Sequence, residues 1–213
     1  KNVLTRLHDR GVGLQAKKCA FFHRETTLVG WTVSKVGAKP SAEKVGPLLR
    51  QEPPRNKEEL SRILGQLGFY RRSIENYAAK THHLNALSKG KAKWPAGGLP
   101  DECVNELNLL KEAFRDEKGT ILAHFDPARP ASLAVDASDK GIAGTLRQKS
   151  DEGAWKIVQQ VSRTLRGPEK AYCIWKRECL AVVWCCRVLR DYLYGIDDLT
   201  IETDNQSTAQ MGK

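Results

Sequence analysis

The chain has 213 residues, is 40% hydrophobic and carries a formal net charge of +10 at pH 7. It is too long for one small module and short for two full domains, and its apolar content is sufficient for packed cores. No segment approaches the roughly 18 apolar residues of a membrane span, so we expect no membrane partner. The chain starts at Lys1 rather than Met and has no signal peptide, so we expect a fragment or a processed product.

The positive charge is concentrated in the first half of the chain. Residues 1–100 contain 19 Lys and Arg against 7 Asp and Glu, whereas residues 101–213 contain 16 against 18. A basic front and a slightly acidic back are typical of a protein that holds a polyanion with one part and acts on it with another. A solvated basic surface without a partner is the alternative that charge alone leaves open.

The six cysteines give no sign of a metal site. None forms a C-x-x-C pair, and no histidine spacing completes a zinc-binding set. Four of them fall between residues 173 and 186, in an apolar helical stretch where cysteine behaves as a small hydrophobic residue. Free thiols indicate an intracellular protein, either cytoplasmic or nuclear.

The first half of the chain is predicted to be mainly helical. Five helices are expected there: over residues 1–10, from Ser41, from Asn56, over 75–88, and from Asp101 to about residue 117. Ser41 and Asn56 are of the residue types that cap helix N-termini. Two strand-like runs, residues 14–22 and 26–34, separate the first helix from the others.

The sequence changes character after two turn-rich linkers, residues 95–100 and 126–130. Short β-type runs then occur at residues 132–135, 141–148 and 154–161. A helix starts near Pro168, and a last strand, residues 199–203, precedes Asp204. Three strands, a helix and a further strand predict an α/β layer.

Glu178 is the most informative single residue of the last predicted helix. It lies within a stripe of apolar side chains at 3.6-residue spacing: Ile174, Trp175, Ala181, Val182, Cys185 and Leu189. A carboxylate that faces a sheet is destabilising by several kcal/mol unless something pairs with it. Glu178 is therefore a candidate functional residue. A buried ion pair, or the edge of the stripe reaching solvent, is the alternative.

Two aspartates end predicted strands on either side of that helix. Asp136 follows the apolar residues 133–135, and Asp204 follows the run 199–203. Each acid alone is more often the cap of a following turn. If the two strands are neighbours and the helix packs across them, three carboxylates converge. Three hard oxygen ligands are what Mg²⁺ ions need to hold a phosphodiester for hydrolysis.

The segments around these acids carry specific motifs. They are VDASD at residues 135–139, GIAGTLRQ at 141–148, SRTLRGPEKAY at 162–172, RECLAVVW at 177–184, YLYG at 192–195 and TDNQS at 203–207. Together they resemble the ribonuclease H domain of gypsy-type LTR retrotransposon reverse transcriptases. The resemblance implies that Asp136, Glu178 and Asp204 are catalytic, metal-binding carboxylates. It also implies two Mg²⁺ ions, which Mn²⁺ can replace, and an RNA–DNA hybrid as the nucleic acid bound.

Motifs in the first half extend the likeness to nearly the whole chain. Residues 14–22 and 28–34 resemble the strands of the polymerase palm that grip the primer, and NKEELSRILG at 56–65, FYRR at 69–72 and KAKW at 91–94 resemble the thumb and connection. The resemblance implies weaker nucleic-acid contacts, at Lys17, Lys18, Trp31, Arg71, Arg72, Lys91 and Lys93. For FYRR, a core helix with two solvated arginines is an equal alternative.

Two features of the family pattern are absent from the sequence. The Tyr-x-Asp-Asp turn of the polymerase site does not occur, so we expect no DNA synthesis from this chain alone. The family's fourth carboxylate lies on a helix well beyond the strand before Asp204, whereas this sequence stops at Lys213. We therefore expect an incomplete ribonuclease H domain, with another chain as a candidate source of the polymerase core and the C-terminal elements.

The sequence thus predicts an α/β and α+β fold, with a helical thumb/connection region followed by a C-terminally truncated ribonuclease H-like mixed β-sheet with helices. The predicted divisions are 1–34 for the end of the palm, 35–125 for the thumb/connection and 126–213 for the ribonuclease H-like domain. The predicted function is Mg²⁺-dependent endonucleolytic cleavage of RNA in RNA–DNA hybrids, within a retrotransposon polyprotein. The alternative is a domesticated or subunit-type module that binds nucleic acid or a partner protein without cutting.

Overall fold

The computed structural model describes residues 2–19, 21–89, 92–116 and 120–204. The chain forms two modules, which we call the helical module, residues 25–116, and the sheet module, residues 131–204. The linking segment, residues 120–125, lies between them. No helix among the described residues has the length and apolar content needed to cross a membrane.

One helix, α1 (Asn2–Asp9), precedes both modules, as predicted. The strand predicted over residues 14–22 is wrong. This stretch contains a 3₁₀ turn, Ala16–Lys18, and the apolar side chains of Leu14 and Phe22 are exposed. β-type residues hold an extended conformation when they pack against neighbouring strands, and none of the described strands pairs with this stretch.

The helical module begins with a small antiparallel sheet of three strands, β1 (Glu25–Leu28), β2 (Trp31–Ser34) and β3 (Ala38–Pro40). The single strand predicted over residues 26–34 is wrong, because a two-residue turn at Val29 and Gly30 divides it. Both turn residues have positive φ, +48° and +78°, which matches the right-handed twist of a tight hairpin.

Four helices complete the helical module: α2 (Ala42–Arg50), α3 (Lys57–Phe69), α4 (His82–Ser88) and α5 (Asp101–Arg115). The cap predicted at Asn56 is confirmed, since its side chain accepts a hydrogen bond from the Glu59 N–H at 2.8 Å. Ser41 occupies the N-cap position of α2 without a side-chain cap bond. The helix predicted over residues 75–88 is confirmed only from His82, because Asn76 has a φ of +48° that interrupts a right-handed helix.

The helical module encloses one core, to which its helices contribute Leu60, Ile63, Leu67, Leu84, Leu107, Leu110 and Phe114. Tyr70 lies between Trp31 and Phe114, with ring-centroid distances of 5.4 and 5.8 Å. The buried carboxylate of Glu106 on α5 accepts hydrogen bonds from the backbone N–H groups of His83 and Leu84, each at 3.0 Å. These bonds satisfy donors at the start of α4 and fasten it to α5.

The sheet module is a mixed four-stranded sheet in the order β6-β5-β4-β7. Its strands are β4 (Ala131–Ala137), β5 (Gly141–Lys149), β6 (Trp155–Thr164) and β7 (Leu199–Glu202). β4 and β6 are each antiparallel to β5, whereas β7 is parallel to β4. The predicted mixed sheet with helices is confirmed.

Two helices, α6 (Ile174–Val188) and α7 (Arg190–Leu193), connect β6 to β7. The helix predicted near Pro168 starts as a 3₁₀ turn, Gly167–Ala171, ahead of α6. α6 packs on β4 and β5. The approach is close at Gly144, where an added Cβ would lie 2.5 Å from the Cys185 Sγ.

The linking segment connects the two modules through backbone hydrogen bonds to each of them. Leu122 pairs with Ala38 of the small sheet through two bonds of 2.8 Å. Ala123 N–H donates to the Ile157 carbonyl of β6 at 2.7 Å. The linking segment is therefore hydrogen-bonded to both modules, and it holds the helical module against the sheet.

Candidate active site

The helix α6 carries Glu178 on its buried face, together with Ala181 and Cys185. Glu178 is only 2% exposed, so its predicted place on the sheet-facing side of the helix is confirmed. The first turn of the predicted stripe is wrong: Ile174 and Trp175 are 69% and 43% exposed. The buried face of the helix therefore begins at the acid itself.

The parallel ladder between β4 and β7 fixes the positions of the two aspartates. Its last registered pair is Ala134 with Glu202. Asp136 and Asp204 each follow two residues later, Asp136 next to the end of β4 and Asp204 in the bend that follows β7. The expectation that these two strands are neighbours, with a helix packed across the sheet, is confirmed.

The three acids share one electrostatic environment. Burial raises the pKa of Glu178, and the negative charges of Asp204 and Asp136 raise it further. A hydrogen bond from the Ala137 N–H and one from the Thr203 hydroxyl, at 3.5 Å, oppose this rise in the pKa. Both partners are neutral, and no ion pair to Glu178 occurs within the described ranges.

The carboxylates do not form a preassembled ligand set. In the part of the chain that the structure describes, no group of three His, Cys, Asp or Glu side chains is arranged to hold a metal ion. The Oδ2 atom of Asp136 instead accepts a hydrogen bond from the Asn76 amide at 3.3 Å. A buried carboxylate without a cationic partner nevertheless fits a site for positive charge.

Two clefts border the acids. One, of about 470 Å³, is lined by Glu178, Asp204, Arg177 and Asp139, among others. The other, of about 300 Å³, lies between the modules and is lined by Asp136 with Asn76 and Lys80. A cleft of about 720 Å³ between α2 and α3, larger than both of these, is lined by none of the three acids. We place the candidate site at the smaller clefts, because the titratable groups are there.

The residues interpreted as weak nucleic-acid contacts fall into three groups. Five are exposed: Lys17, Lys18, Arg71, Arg72 and Lys93. Trp31 is 6% exposed and belongs to the core of the helical module, so its interpretation as a nucleic-acid contact is corrected. The guanidinium of Arg72 stacks over the Trp31 ring at 4.1 Å. Lys91 lies outside the described residues.

Sequence analysis missed two groups at the site, the Asn76 amide and the Ala137 N–H. The Asn76 contact joins residues 60 positions apart, and no motif in the sequence indicates it. The Ala137 N–H belongs to the VDASD motif, but a backbone donor has no signal of its own in a sequence.

Residues 99–201 match a protein-family model described as an RNase H-like domain found in reverse transcriptase. The whole chain also has related proteins. It is 30% identical to the retrovirus-related Pol polyprotein from transposon opus of Drosophila melanogaster, with 96% of this chain and 21% of that protein aligned. The retrovirus-related Pol polyprotein from transposon gypsy of the same organism is 31% identical, with 96% of this chain and 20% of that protein aligned.

A yeast relative and two solved structures are also similar. The transposon Tf2-3 polyprotein of Schizosaccharomyces pombe is 26% identical over 97% of this chain and 15% of its own length. A foamy viral protease-reverse transcriptase in complex with double-stranded DNA superimposes with a TM-score of 0.73, at 20% identity, over 98% of this chain and 36% of that one. A foamy viral protease-reverse transcriptase in complex with an RNA/DNA hybrid superimposes with a TM-score of 0.69, at 21% identity, over 89% of this chain and 25% of that one.

Residues 99–201 therefore form an RNase H-like domain of the kind found in reverse transcriptases. The chain as a whole is a relative of the polyproteins of gypsy-type LTR retrotransposons, so the resemblance stated from the sequence is confirmed. It spans about a fifth of the length of the two Drosophila relatives.

Proposed function

We propose that this chain is the ribonuclease H part of a retrotransposon polyprotein and cleaves the RNA strand of RNA–DNA hybrids with Mg²⁺. The observation that carries the proposal is Glu178, a buried acid whose pKa is raised by burial, Asp204 and Asp136. An acid in this position destabilises the fold unless a cation neutralises it. Groups with such shifts cluster at functional sites.

The donor set suits a hard divalent cation. Asp136, Glu178 and Asp204 would hold it through carboxylate oxygens, the ligands that Mg²⁺ prefers. Asp136 and Asp204 come from strand ends fixed by the β4–β7 ladder, and Glu178 comes from the helix above. When bound, divalent cations in such a site orient the attacking water and stabilise the leaving oxygen of the phosphodiester.

The exposed basic residues would hold the nucleic acid by its backbone. Lys17 and Lys18 lie on the 3₁₀ turn after α1, and Arg71 lies on another such turn, Arg71–Ser73. Contacts of this kind neutralise phosphates without reading sequence. The foamy viral structure in complex with an RNA/DNA hybrid supports this choice of partner, because its fold is similar.

The test is incubation of the chain with an end-labelled RNA–DNA hybrid in Mg²⁺ or Mn²⁺. We expect cleavage of the RNA strand that is lost in Asp136→Asn, Glu178→Gln and Asp204→Asn. Glu152→Gln, at the exposed turn between β5 and β6, is the matched control and retains cleavage. Cleavage that persists in all three site variants would rule the proposal out.

A second function is favoured by one observation. Within the described ranges, no three potential ligands are arranged to hold a metal ion, as expected of a module that binds nucleic acid or a partner protein without cutting. Binding of a labelled hybrid, titrated with salt, separates the two functions. A hybrid that binds with a steep salt dependence, yet stays intact in Mg²⁺ and Mn²⁺, would establish the non-catalytic function.

A further inference from the structure

The side chain of Asn76 crosses the boundary between the two modules. Its Nδ2 atom lies 3.3 Å from the Oδ2 of Asp136, at the end of β4. Asp136 is exposed, and a carboxylate at an exposed strand end has freedom to rotate. Asn76 on the helical module is the side-chain hydrogen-bond partner of Asp136.

The backbone around Asn76 is firmly held. Its carbonyl accepts hydrogen bonds from the N–H groups of Ala79, at 3.1 Å, and Lys80, at 3.2 Å. The side chains of Ile74 and Ala78, two residues before and after it, are buried. The amide is therefore presented from a fixed point on the helical module.

A second bond fixes the sheet module relative to that point. The Ala78 N–H donates to the Oγ of Ser162 on β6 at 3.0 Å. Asn76 and Ala78 thus contact two strands of the same sheet from one short segment. The position of the Asn76 amide is set by how the helical module docks onto the sheet.

We propose that Asn76 is a positioning residue, which orients the Asp136 carboxylate for metal binding and makes that orientation depend on docking of the helical module. The inference rests on the proposed function, because it takes Asp136 as a metal ligand. The amide occupies one carboxylate oxygen and leaves the other, and the remaining lone pair, for a cation. Hydrogen-bond partners of metal ligands commonly contribute 10–100-fold to metal affinity.

The informative variant is Asn76→Gly. Glycine adopts a φ of +48° without strain, so the backbone conformation is kept while the amide is removed. Ser162→Ala tests the dependence on docking, because it removes a bond across the same interface and leaves the Asn76 amide and Asp136 in place. Asn85→Ala removes an amide that bonds only within its own module, to Thr81, and controls for loss of stability.

The readout is Mn²⁺ binding to the full 213-residue chain, measured from the electron paramagnetic resonance signal of free Mn²⁺ alongside the melting temperature. We expect Asn76→Gly to weaken Mn²⁺ binding by about 10-fold, Ser162→Ala to weaken it by less, and Asn85→Ala to stay within about twofold of the parent chain. Equal affinity in Asn76→Gly and the parent chain would overturn the inference, and so would an equal loss in Asn85→Ala.

Asp136→Asn separates this inference from the proposed function. If Asp136→Asn abolishes Mn²⁺ binding while Asn76→Gly leaves it unchanged, the metal site stands and the role of Asn76 is refuted. If Mn²⁺ binds equally well to Asp136→Asn, or if the parent chain binds none, Asp136 is not a ligand and both proposals fall.

Discussion

Asp136 on β4 and Asp204 in the bend after β7 each lie two residues beyond Ala134 and Glu202, the last pair of the β4–β7 ladder. The ladder places the two strands side by side and so brings both acids to the same edge of the sheet. Asp→Asn substitutions at these positions keep the side-chain shape, so a loss of cleavage in them would report on charge. Because these variants differ from the parent chain mainly in charge, their melting temperatures also report on the charge at the site.

Glu178→Gln is expected to raise the melting temperature in metal-free buffer at pH 7–8. The cause is the raised pKa of Glu178, which burial and the charges of Asp204 and Asp136 produce. Between the unfolded-state pKa, about 4.3, and the higher folded-state pKa, the folded chain binds more protons than the unfolded chain. The free energy of unfolding due to this group therefore falls as the pH rises through that interval.

The advantage of Glu178→Gln should accordingly shrink as the pH is lowered towards 4, and melting curves across pH 4–8 in EDTA measure it. Glu152→Gln, at an exposed turn, serves as the control and should show no pH-dependent difference. A Glu178→Gln protein that is less stable than the parent chain at neutral pH would contradict the assignment of Glu178 as an uncompensated buried acid.

Gly144→Ala is expected to lower the free energy of unfolding by about 1–3 kcal/mol through overpacking. The added methyl would lie 2.5 Å from the Cys185 Sγ and 3.2 Å from its Cβ, so α6 would have to move away from the sheet. Urea denaturation measures the change. Gly65→Ala in α3, where an added Cβ meets nothing within 4 Å, is the matched control and should stabilise by up to about 1 kcal/mol.

Glu169→Gln is expected to cost about 1–3 kcal/mol at neutral pH. Arg163 donates to both carboxylate oxygens, at 2.6 and 2.9 Å, and the Arg166 N–H donates at 2.7 Å. These bonds, those from Arg163 first, lower the pKa of Glu169. The stabilisation is present above the unfolded-state pKa and is lost as the pH falls through the lower folded-state pKa.

Urea denaturation of the Glu169→Gln variant and the parent chain at pH 7 and at pH 3 checks this pH dependence. The difference between their free energies of unfolding should be smaller at pH 3. Asp191→Asn, which breaks the fully solvated pair with Arg190 on α7, should change stability little at either pH. A difference of the same size at pH 7 and pH 3 would contradict this prediction, because it would show that the contribution of Glu169 to stability does not depend on its charge.

The double substitution of Lys17 and Lys18 by Ala is expected to weaken binding to any nucleic-acid sequence to a similar degree. Each phosphate contact adds about 0.9 to the slope of log K against log salt, so loss of both should reduce that slope by up to about 1.8. Arg72→Ala is expected in addition to lower stability, by about 0.5–1 kcal/mol, because the Arg72 guanidinium stacks on Trp31. An unchanged slope in the double variant would remove these lysines from the interface.

Much of the sheet module was predictable because its signals are local. Glu178 stands out as a charged residue among apolar ones at helical spacing, and Asp136 and Asp204 stand out at the ends of apolar runs. The expectation that the two strands are neighbours is confirmed by the ladder, whereas no three potential ligands among the described residues are arranged to hold a metal ion. The prediction that the apolar stripe is buried is wrong at Ile174, because helical periodicity does not show how far a sheet extends beneath a helix.

The wrong predictions in the first half of the chain have a different cause, because those positions depend on long-range packing. Residues 14–22 have strand-forming composition but no described strand pairs with them. Trp31 was interpreted as a nucleic-acid contact because residues 28–34 resemble strands that grip the primer, yet its ring is packed against Tyr70 and Phe69. Asn76 was missed since its contact with Asp136 appears only when the modules dock.

The linking segment has a practical consequence for anyone who dissects this chain. A gene fragment starting at Asp126 would discard Phe125, whose ring packs edge-on against Tyr192 at 5.2 Å. It would also discard Ala123, whose N–H donates a hydrogen bond to the Ile157 carbonyl. The resulting polypeptide would leave the Ile157 carbonyl on the edge strand β6 without this partner, so we expect it to self-associate on expression.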